Sequence, residues 1–437
     1  MTTNIREQID ESKLTGLQIT VLVVCFFLNM LDGMDVLAIS FAAPAITNEW
    51  AISLESLGIV FSAALVGMTV GAVFLSPYSD VFGRRNVMLV SLVLIAIGML
   101  ATSRAGSVTQ LIILRFAAGV GIGSMLASMT SMVSEYAPNR LRNLFVLILH
   151  AGYPIGAMLT GFVAADLLPA YGWRPLFVVA GCATLIALPV VYFLLPESLD
   201  FLTKKQPNGA LPKANAILSK MGHPQLAELP ARDQESNDLK GGGVSVLFSD
   251  SLRAKTINLW LAFFMSFATL YFLLSWVVKL AIDSGLALEN AIYAGVCLNL
   301  GAFFGSISLG ALSNRFGLTK VIALFFLVGA GFIVAYGTSD VTVVWKLALV
   351  FLLMYFVQGA FTGLYAVAAR LYDTEIRTTG VGWAIGAGRL GAIFGPIIAG
   401  ILLGAGVSIG WTFILFALPM IFAAIFASSI GLTEQDG

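Results

Sequence analysis

Apolar runs of about twenty residues recur along the whole of this 437-residue chain, each closed by charged, glycine or proline positions. Twelve stand out, near residues 17–43, 55–76, 87–103, 109–134, 143–167 and 174–195, then 256–281, 289–312, 319–338, 343–370, 378–404 and 409–431. A bilayer-spanning helix needs about 20 such residues. Hydrocarbon offers no partner to an unpaired backbone group, so each run predicts a transmembrane helix. The pattern breaks between the sixth and seventh runs, from Pro196 to Lys255. That stretch contains "TKKQPNGALPK" and "RDQESNDLKGGG" and reads as a cytosolic linker with room for one short helix. The expectation is an all-α membrane protein, with a six-helix bundle over 1–195, a linker over 196–255 and a second six-helix bundle over 256–437.

Composition agrees, with 58% hydrophobic and 11% charged residues against roughly 25% charged in soluble proteins. Mean hydropathy is +0.92. The 24 basic and 24 acidic residues cancel, so net charge points to no nucleic-acid partner. Their placement says more. With a cytoplasmic N-terminus, Arg104, Arg174, Lys279 and Lys346 fall outside, Arg115 and Arg389 fall within the bilayer, and the other Lys and Arg residues fall inside. Positive residues gather on the cytoplasmic side, so both termini are expected there. The N-terminal "MTTNIREQIDESKLTGL" has neither a basic leader nor a small-residue cleavage site, so no cleavable signal peptide is expected. Cys25, Cys182 and Cys297 are widely spaced inside apolar runs and read as small hydrophobic residues, not as metal ligands or a disulfide framework.

The two bundles repeat. "SPYSDVFGRRNVML" after the second run matches "LGALSNRFGLTKVI" after the eighth, pairing Asp80 with Asn314 and Gly83 with Gly317, each 234 residues apart. "SEYAPNRLRNL" after the fourth matches "ARLYDTEIRTTG" after the tenth, pairing Arg142 with Arg377 at 235. A near-constant offset at two places implies homologous six-helix halves in parallel orientation, as in many secondary transporters.

The cluster Asp80, Gly83, Arg84 and Arg85 resembles the major facilitator superfamily signature between helices 2 and 3, G-x3-D-[RK]-x-G-R-[RK]. Ser76 stands at the usual first glycine and Val81 at the first basic residue. "PESLDFL" at 196–202 resembles the P-E-S-x-x-F-L element after helix 6. A more specific resemblance, covering most of the chain, is to the aromatic acid:proton symporters. It rests on D-G-x-D (Asp32, Gly33, Asp35), "LRFAAGVGIGSM", "SEYAPNRLR", "YGWRPLF" and "IRTTGVGWAIGAGRLGAIFGPIIAG". The resemblance implies the major facilitator fold, twelve helices in two pseudo-symmetric halves, in a bacterial inner (cytoplasmic) membrane. It implies import of a benzoate-like carboxylate with a proton. The expected partners are a small aromatic carboxylate, protons and the lipid bilayer, with the chain working as a monomer. No cofactor is expected beyond the proton as coupling ion.

The intramembrane charges carry the chemistry. Asp32 and Asp35 lie three residues apart on one helix face, with Asn29 one step back. A charge at mid-helix costs roughly 2.5–3.5 kcal/mol on insertion scales, so such groups face a cavity, pair or titrate. The competing reading is a helix-end cap or a structural hydrogen bond. The pair is expected to carry the coupled proton, the choice between them being open. Arg115 and Arg389 complement it, because a planar guanidinium grips a carboxylate bidentately. Arg115 lies near the start of the fourth helix, where snorkelling to the interface competes. Arg389 lies well inside the eleventh, amid Gly386, Gly388, Gly391 and Gly395. The 235 offset projects Pro154 opposite it, which sets the charge apart from the repeated scaffold and favours a substrate role. Either arginine can instead pair with the aspartates in the empty state.

His150, the only membrane histidine, reads as a proton relay, a substrate contact or a packing residue. Tyr271, Trp276, Tyr365 and Trp383 are expected along the substrate, since an aromatic ring needs apolar walls and offset stacking partners. Glycines four apart at Gly119/Gly123, Gly152/Gly156, Gly382/Gly386 and Gly391/Gly395 predict close helix packing. Asp80, Gly83, Arg84, Arg85, Glu135 and Arg142 form the expected conformational gate at helix ends. No HExxH or GxSxG passage and no clustered cysteines occur, so neither an enzyme nor a metal site is expected. The function expected is proton-coupled import of a hydroxybenzoate-like acid, such as protocatechuate, gallate, 4-hydroxybenzoate or benzoate. The alternatives are a facilitator for another organic anion or a sugar, a proton-coupled efflux antiporter, or a non-transporting receptor.

Overall fold

Each of the twelve apolar runs is helical in the computed structural model of the chain, which describes residues 9–10, 14–230, 244–250, 252–373 and 376–431. The spans are α1 (Gly16–Trp50), α2 (Leu54–Phe82), α3 (Arg84–Thr102), α4 (Val108–Tyr136), α5 (Arg142–Tyr171) and α6 (Arg174–Leu194). They continue as α7 (Arg253–Asp283), α8 (Leu288–Phe316), α9 (Leu318–Thr338), α10 (Val343–Leu371), α11 (Arg377–Gly404) and α12 (Ile409–Ser428). Among the described residues there is no strand. Of the charges used to orient the chain, Arg6, Lys13, Arg232 and Lys240 lie outside the described residues.

Most helices start and stop within a few residues of the pattern. Two run on. α1 passes through Pro44 to Trp50, and its 35 residues make it about 52 Å long, well beyond the roughly 30 Å of a hydrocarbon core. α2 tightens and loosens before it ends, with a π turn at Gly71–Leu75 and a 3-10 turn at Ser76–Tyr78. Two short helices, Leu199–Lys204 and Ala210–Lys220, stand in the linker where one was expected. The first is capped by Ser198, whose Oγ accepts from the Phe201 N–H at 3.0 Å.

The repeated glycines explain themselves at the α2–α3 and α8–α9 corners. Gly83 (φ +96°, ψ 144°) and Gly317 (φ +87°, ψ 137°) each end one helix and start the next. A side chain is strained at such angles, so both halves keep glycine 234 residues apart.

The helices pack into two compact units. The first comprises Met1–Asp35, Val66–Gly156 and Phe177–Asp238. Here glycines bring backbones into contact. Gly67 and Gly71 of α2 lie against the Phe116 and Val120 carbonyls of α4, and Gly152 and Gly156 of α5 lie against the Phe26 and Met30 carbonyls of α1. The second unit comprises Val36–Leu65, Ala157–Leu176 and Leu239–Gly437. In it Gly301 and Gly305 of α8 meet the Phe351 and Tyr355 carbonyls of α10, and Gly391 and Gly395 of α11 meet the Phe264 and Ala268 carbonyls of α7. Phe272 stacks on Phe416 at 4.0 Å between α7 and α12.

The second unit also holds the ends of α1, α2 and α5 that lie on the side reached at the end of α1, here called distal. These ends pack on α7, α8 and α11. Ser40 donates to the Ser275 carbonyl at 2.9 Å and Ser62 to the Ile393 carbonyl at 2.7 Å. Phe61 meets Trp276 edge-on at 5.2 Å, while the Trp276 indole donates to the Pro396 carbonyl at 3.1 Å. Gly58 lies against the Pro396 carbonyl, and Gly161 against Val296 and Phe41.

The glycine contacts give the repeat a register that the loops alone do not. Between α2·α4 and α8·α10 the offset is 234 or 235, as at the loops. Between α1·α5 and α7·α11 it is 238 or 239: Phe26 and Met30 become Phe264 and Ala268, and Gly152 and Gly156 become Gly391 and Gly395. One extra helical turn has entered α11 after Arg377. The residue equivalent to Arg389 is therefore His150, not Pro154.

A side chain placed at these crossings has nowhere to go, and overpacking of this kind costs about 1–3 kcal/mol or more. Gly156→Val and Gly395→Val should each lower the thermal unfolding midpoint of the detergent-purified protein by several degrees. Gly310→Ala should not, because nothing lies within 4 Å of an added Cβ there.

Candidate functional site

In the first unit the acidic groups of α1 are fully enclosed. Asn29, Asp32 and Asp35 are 1%, 1% and 0% exposed. Asn29 is held by its Nδ2, which donates to the Leu149 carbonyl of α5 at 2.7 Å. The Gly33 contact with the Tyr153 carbonyl presses the same two helices together, so the acidic face of α1 is rigidly placed. Neither carboxylate oxygen of Asp35 accepts a hydrogen bond from a described residue.

Arg115 of α4 lies beside Asp35 and interacts with its charge. It is fully buried and does not reach toward a surface. Its guanidinium donates to the Asp35 backbone carbonyl at 3.0 Å and to Met99 Sδ at 2.9 Å, and lies 5.8 Å over the Phe177 ring. An acid and a base thus share one buried compartment, with the base holding the backbone of the acid's own residue. His150, one residue past the carbonyl that anchors Asn29, is exposed.

In the second unit Arg389 belongs to an aromatic box. The charge of Arg389 and the phenol of Tyr271 both act electrostatically on the Tyr365 hydroxyl, and the three side chains are half-buried. Phe263 meets Tyr365 at 5.2 Å and Phe361 meets Tyr365 at 5.4 Å, both edge-on. Phe267 meets Phe361 at 4.6 Å and stacks on Tyr271 at 6.0 Å. Gly388 makes the box fit its helix, since a Cβ there would meet the Phe267 ring at 2.5 Å and Phe263 Cβ at 3.0 Å. A cation among ring faces and edges suits a flat, apolar anion. Sequence reasoning named Arg389, Tyr271 and Tyr365 and missed Phe263, Phe267 and Phe361. The signal was there: 263, 267 and 271 follow at four-residue steps on α7, and 361 and 365 do so on α10.

Two other aromatic residues stand apart from the box. Trp276 is fully buried in the distal packing. Trp383 is 49% exposed and stacks on Trp260 at 6.0 Å.

Residues 25–361 match the Major Facilitator Superfamily. The chain belongs to that superfamily. Within it the chain is 35% identical to the 4-hydroxybenzoate transporter PcaK of Pseudomonas aeruginosa, over 98% of this chain and 94% of that one. It is 33% identical to the gallate transporter of Pseudomonas putida, over 97% and 94%. Among solved structures, the xylose transporter XylE from E. coli in a partially occluded inward open conformation superposes with a TM-score of 0.75 at 18% identity, covering 94% of this chain and 97% of that one. That likeness supports the twelve-helix fold in two pseudo-symmetric halves. The protein is a multi-pass membrane transporter, not an enzyme.

The superfamily's loop signature forms a charge network inside the first unit. Arg84 pairs with Glu135 of α4 and lies 3.6 Å from Asp80, which is well exposed. Glu135 accepts from Ser198 Oγ at 2.5 Å. The Arg85 N–H donates to Glu197 at 3.1 Å, and the Tyr136 hydroxyl donates to the Glu197 backbone carbonyl at 2.6 Å. Glu197 fills the space beside Gly83 that a side chain would occupy. The P-E-S element, quoted above for its resemblance, is thus what the signature closes upon. Arg142 stands apart from this network, 3.7 Å from Asp10.

Glu197 lies outside the spans. Burial pushes its carboxyl above the usual carboxylate range, against the pull of the Ser198, Arg85 and Arg84 backbone N–H groups and the Arg85 charge. A raised folded-state value means that the native protein holds a proton the unfolded chain has released, so stability falls as pH rises through that window. Between pH 4.5, the ordinary value, and neutrality, the unfolding midpoint of Glu197→Gln should vary less with pH than that of the wild type.

Proposed function

We propose that the protein imports an aromatic carboxylic acid together with a proton, by alternating access between two six-helix halves. The halves are residues 1–195 and 256–437, joined by the linker 196–255. The observation that carries this reading is the cluster of Phe263, Phe267, Phe361, Tyr271 and Tyr365, with the charge of Arg389 acting on the Tyr365 hydroxyl. Arg389 grips the carboxylate, and the rings supply the apolar edge and face contacts that a benzene ring prefers to water. The names of the relatives support an acid of the 4-hydroxybenzoate and gallate type. The charge bias supports cytoplasmic termini, and the bacterial relatives support an inner-membrane placement.

Asp35 carries the proton. It is buried beside a single buried cation, and no described residue donates a hydrogen bond to its carboxylate. Loading it with a proton removes a charge from the bilayer interior, and the substrate anion does the same for Arg389. Proton and anion carry opposite charges, so the doubly loaded carrier has the same net charge as the empty one while each singly loaded form differs from both, which is a condition that favours symport. Asp32 and Asn29 shape the acid's surroundings on the same helix face. The exposed Asp80 and the Arg84–Glu135–Ser198 network make the gate on the cytoplasmic side.

In proteoliposomes with an imposed pH gradient, Asp35→Asn should reduce accumulation of labelled 4-hydroxybenzoate to the equilibrium level while substrate counterflow persists. Uphill uptake in that variant refutes the proton role. Arg389→Lys keeps the charge and loses the planar fork, so the half-saturating concentration of 4-hydroxybenzoate should rise at least tenfold. Competition of that uptake by xylose would favour a sugar carrier instead.

A further inference from the structure

A buried arginine beside a buried aspartate ordinarily closes into a bidentate ion pair, since the two planar groups match. Arg115 and Asp35 have not closed in this way. One terminal nitrogen of the guanidinium, Nη2, donates to the Asp35 backbone carbonyl at 3.0 Å. The other, Nη1, donates to Met99 Sδ at 2.9 Å. Both carboxylate oxygens of Asp35 are left without a hydrogen bond from any described residue. Asp35, Met99 and Arg115 are all 0% exposed, and all three belong to the first compact unit.

The sulfur of Met99 suits this place. A thioether is a weak, uncharged acceptor on a flexible chain, so it can occupy an N–H without competing for the whole cation. An aliphatic side chain of the same size would leave that N–H unpaired. A buried donor without a partner is costly, and the free acceptors at hand are the carboxylate oxygens of Asp35.

We infer that Met99 is a positioning residue for the coupled proton. Its thioether holds Arg115 on the backbone of Asp35 and off the carboxylate, which stays open to a proton. This rests on the reading of Asp35 as the proton carrier. An ion-paired carboxylate resists protonation, because an adjacent opposite charge favours its charged form. The other titratable groups around Asp35 are few. α1 carries Asp32 three residues earlier, and α5, packed against Gly33, carries His150 and Tyr153. α3 has none between Arg85 and Arg104, α2 none between Glu55 and Tyr78, and α6 none between Arg174 and Cys182. On α4, Arg115 is the one such group before Glu135. A substitution at Met99 alters none of these, so a changed pH response reports the placement of Arg115.

The test is the initial rate of labelled 4-hydroxybenzoate uptake into proteoliposomes, followed across external pH with the pH gradient held constant. Met99→Leu conserves volume and removes the acceptor. The pH of its half-maximal rate should fall by about one unit, as the guanidinium turns to the carboxylate. Met99→Ile, which also lacks an acceptor, should move the same way. Met99→Gln, whose amide oxygen accepts from Nη1, should keep the wild-type profile. Thermal unfolding of each purified variant reports folding independently. A half-maximal pH that neither apolar variant moves, or that Met99→Gln moves as far as they do, overturns the positioning role. Asp35→Asn, assayed alongside, separates the two readings: uphill uptake in that variant overturns Asp35 itself as the proton carrier.

Discussion

A charge in hydrocarbon has to be surrounded by protein, and this one requirement organises the molecule. Asp35 and Arg115 have no exposed surface, and Arg115 binds the backbone carbonyl of the very residue whose charge it feels. Removing one member of such a pair strands the other at a cost of about 3–5 kcal/mol, while the pair itself adds little stability over well-packed apolar residues. Stability is therefore a poor reason for their presence. Movement of charge is a better one, because a proton that comes and goes can neutralise Asp35.

The packing that holds these charges is symmetric, and the charges are not. Glycine–carbonyl contacts recur in both halves with only one helical turn inserted, so the scaffold of α1, α2, α4 and α5 is rebuilt in α7, α8, α10 and α11. At the positions equivalent to Asp32, Asp35 and Arg115 the second half has Leu270, Leu273 and Val350, all buried. On the proposed reading, the first half serves the proton and the second the ring. His150 and Arg389 are the exception, being polar in both halves at one equivalent position. The loop signature follows the same logic. Gly83 and Gly317 keep the same backbone angles, whereas Asp80 gives way to Asn314.

The spans were legible because bilayer thickness sets a length that no soluble element needs, and the composition obeys it. The α2–α3 corner was legible because its glycine is forced by a positive φ and its charges lie in sequence. Other features follow from tertiary contact and left weaker traces. The turn inserted in α11 cannot be seen from Arg142 and Arg377, which precede it, so the loop offset put Pro154 where packing puts His150. Among so many apolar residues, Phe263 and Phe267 look like lipid-facing bulk until Gly388 draws them against α11. Trp276 and Trp383 were expected along the substrate as aromatic walls. One is a packing residue of the distal end and the other a partner of Trp260. Glu197 and Ser198 were quoted within a motif, but their partners Arg85 and Glu135 are distant in sequence and only folding joins them.

The central claim is that a hydrogen ion and an aromatic anion cross together. Liposomes carrying the wild-type protein, weakly buffered inside with a trapped pH-sensitive dye and with no gradient imposed, test it directly. Adding 4-hydroxybenzoate outside, at a pH where nearly all of it is ionised, should acidify the interior faster than in protein-free liposomes, in step with protein-dependent uptake of label. Uptake of label with no change of interior pH, or with alkalinisation, would contradict it.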